Sequence, residues 1–287
     1  MQKYCLENCD PLDSRQFLIA VKKLANDLGY GSDRSPFLGS GIEYVQSRRY
    51  EIGDPIKSID WRVTARTGQF HVKEYESPKR MPVYLLIDTS ASMTISSSHP
   101  GKYAQALQIA GGIAFAALDR ISPVGVVGVG DRDLLITPSL SQDRILQWMH
   151  RLRHYRMDEK TRLGDKLTRL LPGLASRALI ITLSDLHDPE ALPALKLAAQ
   201  KHDCVTLQLI DPAETTLKGT GFVRIREAET GVCAIAKNNI GITNPGAIAE
   251  KLNRAGIDHL SLLTNEPIVH KLRNFFKSRS LLGRDAR

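Results

Sequence analysis

Cysteine is scarce. The 287 residues hold four, Cys5, Cys9, Cys204 and Cys233, with no C-x-x-C pair and no histidine pair at zinc spacing beside them. That scarcity argues against a disulfide scaffold and against a thiolate zinc site. The thiols read as reduced and structurally incidental, although Cys5 and Cys9 share one face if their segment is helical. Long hydrophobic runs are also missing. The longest mostly apolar stretch, Ile109 to Leu118, is far shorter than the roughly 20 residues of a membrane span. The opening M-Q-K-Y-C-L-E-N lacks a basic-then-apolar signal, so a cytoplasmic protein is expected. There is no G-x-x-x-x-G-K-[ST], which excludes ATP hydrolysis by a P-loop, and no G-x-S-x-G elbow to expose a nucleophilic serine. No internal repeat is visible.

What is present suits a folded α/β protein. Hydrophobic residues at 42% and charged residues at 24% are globular values, and the length allows one large domain or one with a smaller partner. Lys and Arg number 39 against 31 Asp and Glu, a net charge of +8. This modest excess suits an acidic protein, nucleic acid or an anionic membrane surface, and does not choose among them.

Phe17, Leu18, Val21, Leu24 and Leu28 recur at helical spacing, so the periodicity predicts a helix over Asp13–Leu28. A Gly/Ser-rich linker follows over Gly29–Gly41, then a compact polar segment, Arg48–Glu76, whose part Gln69–Tyr75 alternates like a strand. From Met81 onward, strand-like and helix-like runs interleave. Strands are predicted at Val83–Ile87, Val124–Val129, Leu134–Thr137, Ala178–Leu183, Cys204–Ile210 and His259–Leu263. Helices are predicted at Tyr103–Leu118, Arg144–Arg153, Lys166–Leu171, Glu190–Lys201, Ala247–Ala255 and Ile268–Phe276. Phe222–Ile225 and Val232–Ile235 read as a hairpin around Glu229-Thr230-Gly231. Apolar strands interleaved with helices imply a doubly wound, mostly parallel sheet with helices on both faces. Residues 1–80, the N-terminal helix and polar segment, are read as one unit and 81–287 as the α/β domain.

In such folds the ligand site lies beyond the carboxyl ends of the strands. There Tyr84-Leu85-Leu86-Ile87 runs into Asp88-Thr89-Ser90-Ala91-Ser92-Met93. Asp88, Ser90 and Ser92 are small, hard oxygen donors, the kind that Mg²⁺ takes, and no thiolate or imidazole accompanies them. The strand ending in Leu183 delivers Ser184-Asp185, and Thr161 precedes a helix, so Asp185 and Thr161 are candidates to complete the cage. Serines after a strand also serve as caps and turn residues, and Asp88 could be such a cap. In the polar segment, Arg49, Arg62 and Arg66 lie near Asp54, Asp60, Tyr50 and Trp61. Arginine forks pair with carboxylates and stack on rings, so this cluster either locks the segment onto the main domain, the favoured reading, or presents a partner surface. Gly53 and Asp54-Pro55 suit a tight turn.

D-T-S-A-S-M resembles the metal-ion-dependent adhesion site of von Willebrand factor A-like domains. The stretch R-R-Y-E-I-G-D-P-I-K-S-I-D-W-R-V-T-A-R-T-G resembles the signature of the domain-of-unknown-function-58 family. The matching positions are Arg49, Tyr50, Gly53, Asp54, Ile59, Asp60, Trp61, Ala65 and Arg66, and the likeness runs from about Gly39 to the C-terminus. The resemblance implies a non-enzymatic, magnesium- or manganese-dependent protein-binding adaptor. Its implied partners are MoxR-type AAA+ ATPases and other von Willebrand factor A-like proteins, working in chaperone-like assembly of client complexes. The family's second metal loop reads Gly-Gly-Thr or Gly-Thr, and Glu159-Lys160-Thr161 departs from it.

Two other functions compete. A nucleic-acid reading rests on the basic excess and on R-L-R-H-Y-R and K-L-R-N-F-F-K-S-R. Those runs are interrupted at helical spacing, so solvated helix faces explain them more simply. A metal-dependent hydrolase needs a base beside Ser90 or Ser92, and no histidine is evidently placed as one.

Overall fold

The structure, a computed structural model, describes residues 14–29, 43–76, 81–97, 99–215, 222–226, 233–237 and 245–281. The first half runs α1 (Ser14–Gly29), β1 (Glu43–Arg49), α2 (Trp61–Thr67), β2 (His71–Glu76), β3 (Val83–Ile87), α3 (Lys102–Asp119), β4 (Val124–Gly128) and β5 (Leu134–Ser139). There follow α4 (Gln142–Arg153), α5 (Leu163–Leu170), β6 (Leu179–Ser184), α6 (Ala191–Ala198), β7 (Asp203–Ile210) and α7 (Pro212–Thr215). The chain ends with β8 (Phe222–Arg226), β9 (Cys233–Lys237), α8 (Pro245–Arg254), β10 (Asp258–Leu263) and α9 (Ile268–Leu281).

Six strands form the main sheet in the order β10-β7-β6-β3-β4-β5, parallel except for β5, which runs antiparallel to β4 at one edge. The fold is therefore α/β with a mostly parallel sheet, as the interleaved apolar runs predict. Alternation along each strand divides the core in two. Val83, Leu85 and Ile87 face a layer built by α1, α3, α4 and α9, whereas Leu86, Ile180 and Cys204 face α5, α6 and α8. Helices thus cover both faces, and the central strands β3, β4 and β6 read as nearly continuous apolar runs because neither of their faces meets water.

α3 is buried along nearly its whole length, sandwiched between the sheet and α1. Small residues make this possible. A Cβ on Gly112 would lie 2.8 Å from Leu24, and one on Gly111 would lie 2.8 Å from Val21. The N-terminal helix, grouped by sequence with the polar segment, buries Phe17, Val21 and Leu24 in the same core as the sheet. Its far end is held by α9, where the Arg273 guanidinium donates to the Asp27 carbonyl at 3.0 Å and to its carboxylate at 2.9 Å. Further along α9, Arg279 pairs with Asp203 at the start of β7 and with Asp258 at the start of β10.

Residues 43–76 form a small unit of their own. β1 and β2 pair antiparallel, and a 3₁₀ turn (Ile56–Ser58) and α2 fill the connection. Sequence reading missed β1 and α2, since both carry polar residues without clear periodicity. Asp60 starts α2: its carboxylate accepts from the Arg62 and Val63 amides at 3.1 and 3.2 Å and from the Ser47 hydroxyl at 2.7 Å. The Ser47 bond, with help from those amides, holds the carboxyl below its ordinary range. Gly53 adopts φ 115° in the turn between β1 and the 3₁₀ turn, as its place before Asp54-Pro55 suggests. Replacing Asp60 by Ala is expected to open α2 about fivefold more often, the size of a lost N-cap, and Asp60→Asn to retain most of the protection. Amide hydrogen exchange over residues 61–67 measures this.

The predicted hairpin appears as antiparallel β8 and β9, and the turn at Glu229-Thr230-Gly231 lies outside the described residues, as do Cys5, Cys9 and the linker after Gly29. Cys204 is buried and outside any disulfide, its Sγ donating to the His202 carbonyl at 3.9 Å. No helix of the described residues is long and apolar enough to cross a membrane.

Candidate metal centre

β3 and β6 are adjacent, yet their crossovers leave in opposite directions, β3 passing to β4 and β6 to β7. The crevice where strand order reverses is where such sheets hold ligands. Asp88 leaves β3 there, fully buried, and its amide donates to the Leu183 carbonyl at 3.0 Å. Its Oδ1 accepts from the Ser90 amide at 3.0 Å, which folds the chain back so that Ser90 Oγ and Ser92 Oγ meet at 3.0 Å. Asp88 Oδ2 accepts from Thr161 Oγ1 at 3.4 Å and from Ser184 Oγ. Asp185 follows directly, also buried. The three predicted loops therefore meet around one carboxylate, and Asp88, Ser90, Ser92, Thr161 and Asp185 lie on one rim of the sheet.

The second loop reaches Asp88 without its expected glycines. The Glu159 carbonyl accepts from the Ala91 amide at 2.9 Å, and Glu159 bridges to Ser90 in parallel fashion, so Thr161 is pulled against the first loop. The buried Glu159 side chain tucks beneath, accepting from the Arg132 amide at 2.6 Å. It fits because position 130 is glycine: a Cβ there would lie 2.4 Å from Glu159 Cδ. Gly164 plays a similar part beyond Thr161, where a Cβ would lie 2.6 Å from the Glu190 carbonyl oxygen. Space is supplied from neighbouring loops instead of from the loop itself.

Asp185 is held by cations. Lys102, the first residue of α3 and wholly buried, donates from Nζ to Asp185 Oδ2 at 2.9 Å and pairs also with Glu214. His187 Nδ1 lies 3.2 Å from the same oxygen. Between them Leu186 has φ 63°, a left-handed turn unusual for leucine, which brings His187 back over Asp185. Burial pushes the Asp185 carboxyl up, but the His187 hydrogen bond and the Lys102 charge outweigh it and leave the carboxyl below its usual range. The His187 imidazole is raised in turn by its bond to Asp185. Asp88 has no such cation. Burial, then the charge of Asp185, push its carboxyl up to about 7.

The donor set fits a small hard cation. Asp185 Oδ1 is buried with no hydrogen-bond partner among the described residues, and hydroxyls with two carboxylates line the same rim. No group of three or more His, Cys, Asp or Glu side chains suited to a metal occurs among the described residues, so a cation here depends on Ser90, Ser92, Thr161 and water.

A family model described as a protein of unknown function, DUF58, matches residues 46–242. The chain belongs to the DUF58 family. Its curated relatives include the uncharacterized proteins Mb1516 of Mycobacterium bovis and Rv1480 of Mycobacterium tuberculosis, each 24% identical over 223 residues, spanning 76% of this chain and 70% of the relative. The DUF58 match takes in the polar segment and all three rim loops, and leaves α1, α8, β10 and α9 outside.

Within this DUF58 chain the polar signature is arranged differently from its sequence reading. Arg48, not Arg49, clasps Asp54, with Nη1 and Nη2 donating at 2.8 and 2.7 Å, and this pair holds the Asp54 carboxyl below its ordinary range. Tyr50 packs edge-on to Phe70 with ring centroids 6.5 Å apart. Trp61 is 63% exposed, and Arg49, Arg62 and Arg66 make no ion pair among the described residues. The carboxylates therefore lock the unit internally, while Trp61 and these arginines face water.

Lys102, Glu159 and Ser184 were missed as site residues. Lys102 carried a signal: a lysine opening a helix sits at the positive end of the dipole and needs a local carboxylate. Glu159 and Ser184 carried none, since their partners lie tens of residues away.

Proposed function

We propose that this DUF58 protein is a non-enzymatic adaptor, working in the cytoplasm, with a domain of the von Willebrand factor A-like type. Its rim is a metal-ion-dependent adhesion site for Mg²⁺ or Mn²⁺. The observation that carries the reading is the convergence of three loops at the β3/β6 rim, with Asp185 Oδ1 buried and lacking a partner. When bound, the cation supplies an open coordination position that attracts a carboxylate of a partner protein. Asp88, Ser90, Ser92 and Thr161 would hold it directly, and Asp185 through water. Lys102 and His187 keep Asp185 anionic and in place, and Lys102 also lowers the net negative charge around the site. The open position on the cation is what draws an incoming carboxylate. A MoxR-type AAA+ ATPase is the proposed partner, together with other von Willebrand factor A-like proteins, in assembling or activating client complexes. This part rests on the signature and the D-x-S-x-S motif occurring in order.

Thermal melting in millimolar Mg²⁺ or Mn²⁺ against chelator tests the site. The wild type is expected to gain about 5–10 °C at saturating metal, and Asp88→Ala to show no response. No shift in the wild type would sink the proposal. A pull-down with a MoxR-type ATPase, lost on adding chelator, tests the partnership. Metal-dependent turnover of generic esters or phosphates that Asp88→Ala abolishes would replace the adaptor with a hydrolase.

A further inference from the structure

The unit spanning residues 43–76 carries apolar side chains that stand exposed among the described residues. Ile52 is 102% exposed at the Gly53 turn, Ile56 71% on the 3₁₀ turn, Trp61 63% at the start of α2 and Phe70 58% before β2. Three consecutive elements thus lead one apolar side chain after another into water. Four exposed large hydrophobics within twenty residues exceed the scattered single cases usual on a protein surface.

Charge around this patch is mostly positive, with Glu51, exposed beside Ile52, as the one carboxylate left unpaired among the described residues of the unit. Along α2, Trp61, Arg62, Ala65 and Arg66 are exposed, while Val63 and Thr64 are partly buried on the opposite side. Spacing of three to five residues puts Trp61, Arg62, Ala65 and Arg66 on one outward helix face. Lys57 stands exposed beside Ile56. Residues 46–73 hold six Lys and Arg against three Asp and Glu. Two of those carboxylates are already engaged, Asp54 by Arg48 and Asp60 by Ser47 and the α2 amides. Lys57, Arg62 and Arg66 make no ion pair among the described residues. A patch with apolar centre and unengaged guanidinium groups has the composition of a protein interface, where Trp and Arg dominate binding.

We infer that this face docks a carboxylate-rich amphipathic segment of a partner protein, its apolar side chains on Ile52, Ile56 and Trp61 and its carboxylates on Arg62 and Arg66. The two isoleucines decide for protein over nucleic acid, because a base needs an aromatic or guanidinium plane to stack on and gains little from an aliphatic side chain. The surface is separate from the rim residues and needs no cation, so it is a second contact, independent of the adhesion-site proposal.

Trp61 reports on it directly, since the other tryptophan, Trp148, is 2% exposed. The full chain, in chelator, is titrated with a synthetic helical peptide carrying Glu on one face and Leu and Phe on the other. Controls are the same peptide with Lys in place of Glu, polyglutamate, and oligothymidylate. The acidic amphipathic peptide is expected to shift Trp61 emission to shorter wavelength, and its binding to weaken at least tenfold from 50 to 500 mM salt. Arg62→Glu with Arg66→Glu, and separately Ile56→Ser, should each weaken it at least tenfold, with unchanged circular dichroism and melting showing that the variants fold. The lysine peptide and polyglutamate should not bind. Binding that these variants leave unchanged overturns the inference. Oligothymidylate binding in place of the peptide, or self-association that buries Trp61 without peptide binding, overturns it equally.

Discussion

Lys102→Met should lower the unfolding free energy by about 3–5 kcal/mol, the magnitude found when one partner of a buried ion pair is removed. The ammonium is completely buried, and it stands between Asp185, whose side chain is 1% exposed, and Glu214, whose side chain is 12% exposed. Burial pulls the lysine down, but the two carboxylates outweigh that and hold it above its ordinary range. Methionine fills the stem's volume and removes the charge, so Asp185 is left with His187 alone and Glu214 loses its buried ammonium. The loss therefore comes from stranding anions and not from lost packing. The double variant Lys102→Met with Glu214→Gln removes one of the stranded charges and is expected to recover part of the loss. Urea denaturation of the three proteins measures both steps. A single variant as stable as the wild type would show that the ammonium is not what holds Asp185.

Gly164→Ala should have the second large effect, on stability and on the metal response together. The added Cβ would meet the Glu190 carbonyl oxygen at 2.6 Å and its carbon at 2.7 Å. Both are backbone atoms in the chain leading into α6, so no rotamer change relieves the contact. The Gly164 amide also donates to the Asp188 carboxylate at 2.8 Å, tying the start of α5 to the loop after Asp185. Relief requires α5 to move away, and Thr161, three residues before, moves with it. Overpacking of this kind costs about 1–3 kcal/mol. A melting temperature lowered accordingly is expected, with a Mg²⁺-dependent rise at most half that of the wild type. A full metal response in a destabilised variant would mean that Thr161 contributes nothing to the rim.

These two positions show what a sequence can and cannot tell. The central strands were legible to within a residue, because Val83–Ile87 and Leu179–Ser184 are buried on both faces and are therefore mostly apolar. The oxygens of the rim were legible for a related reason: Asp88, Ser90 and Ser92 follow such a strand directly, where the fold must end a strand and open a loop. β1 and α2 were not. They are short, mostly exposed and pinned by single contacts such as the Asp60 cap, which leave no period in the chain. Nor was the support beneath the rim. Lys102 and Asp185 are 83 positions apart, Arg132 and Glu159 are 27, and the room for Glu159 is a missing side chain on Gly130. The absence of glycines before Thr161 set this loop apart from the family pattern, and glycines in the surrounding segments supply the room instead. Trp61 illustrates the converse. Its place among paired charges suggested a locked residue, but the charges pair among themselves and leave the indole outside.

Two of the three described helices beyond the family match are fastened to each other, α9 grasping α1 through Arg273 and Asp27 while Arg279 spans the starts of β7 and β10. A fragment trimmed to residues 46–242 would discard both of these helices together with α8 and β10. That would strip the cover from the glycine face of α3 and leave β7 as a long apolar edge, ready to pair with a neighbouring molecule. Versions cut at the borders of the family match should therefore precipitate, and any shortened form meant for crystallisation or binding work needs to keep residues 14–29 and 245–281 in place.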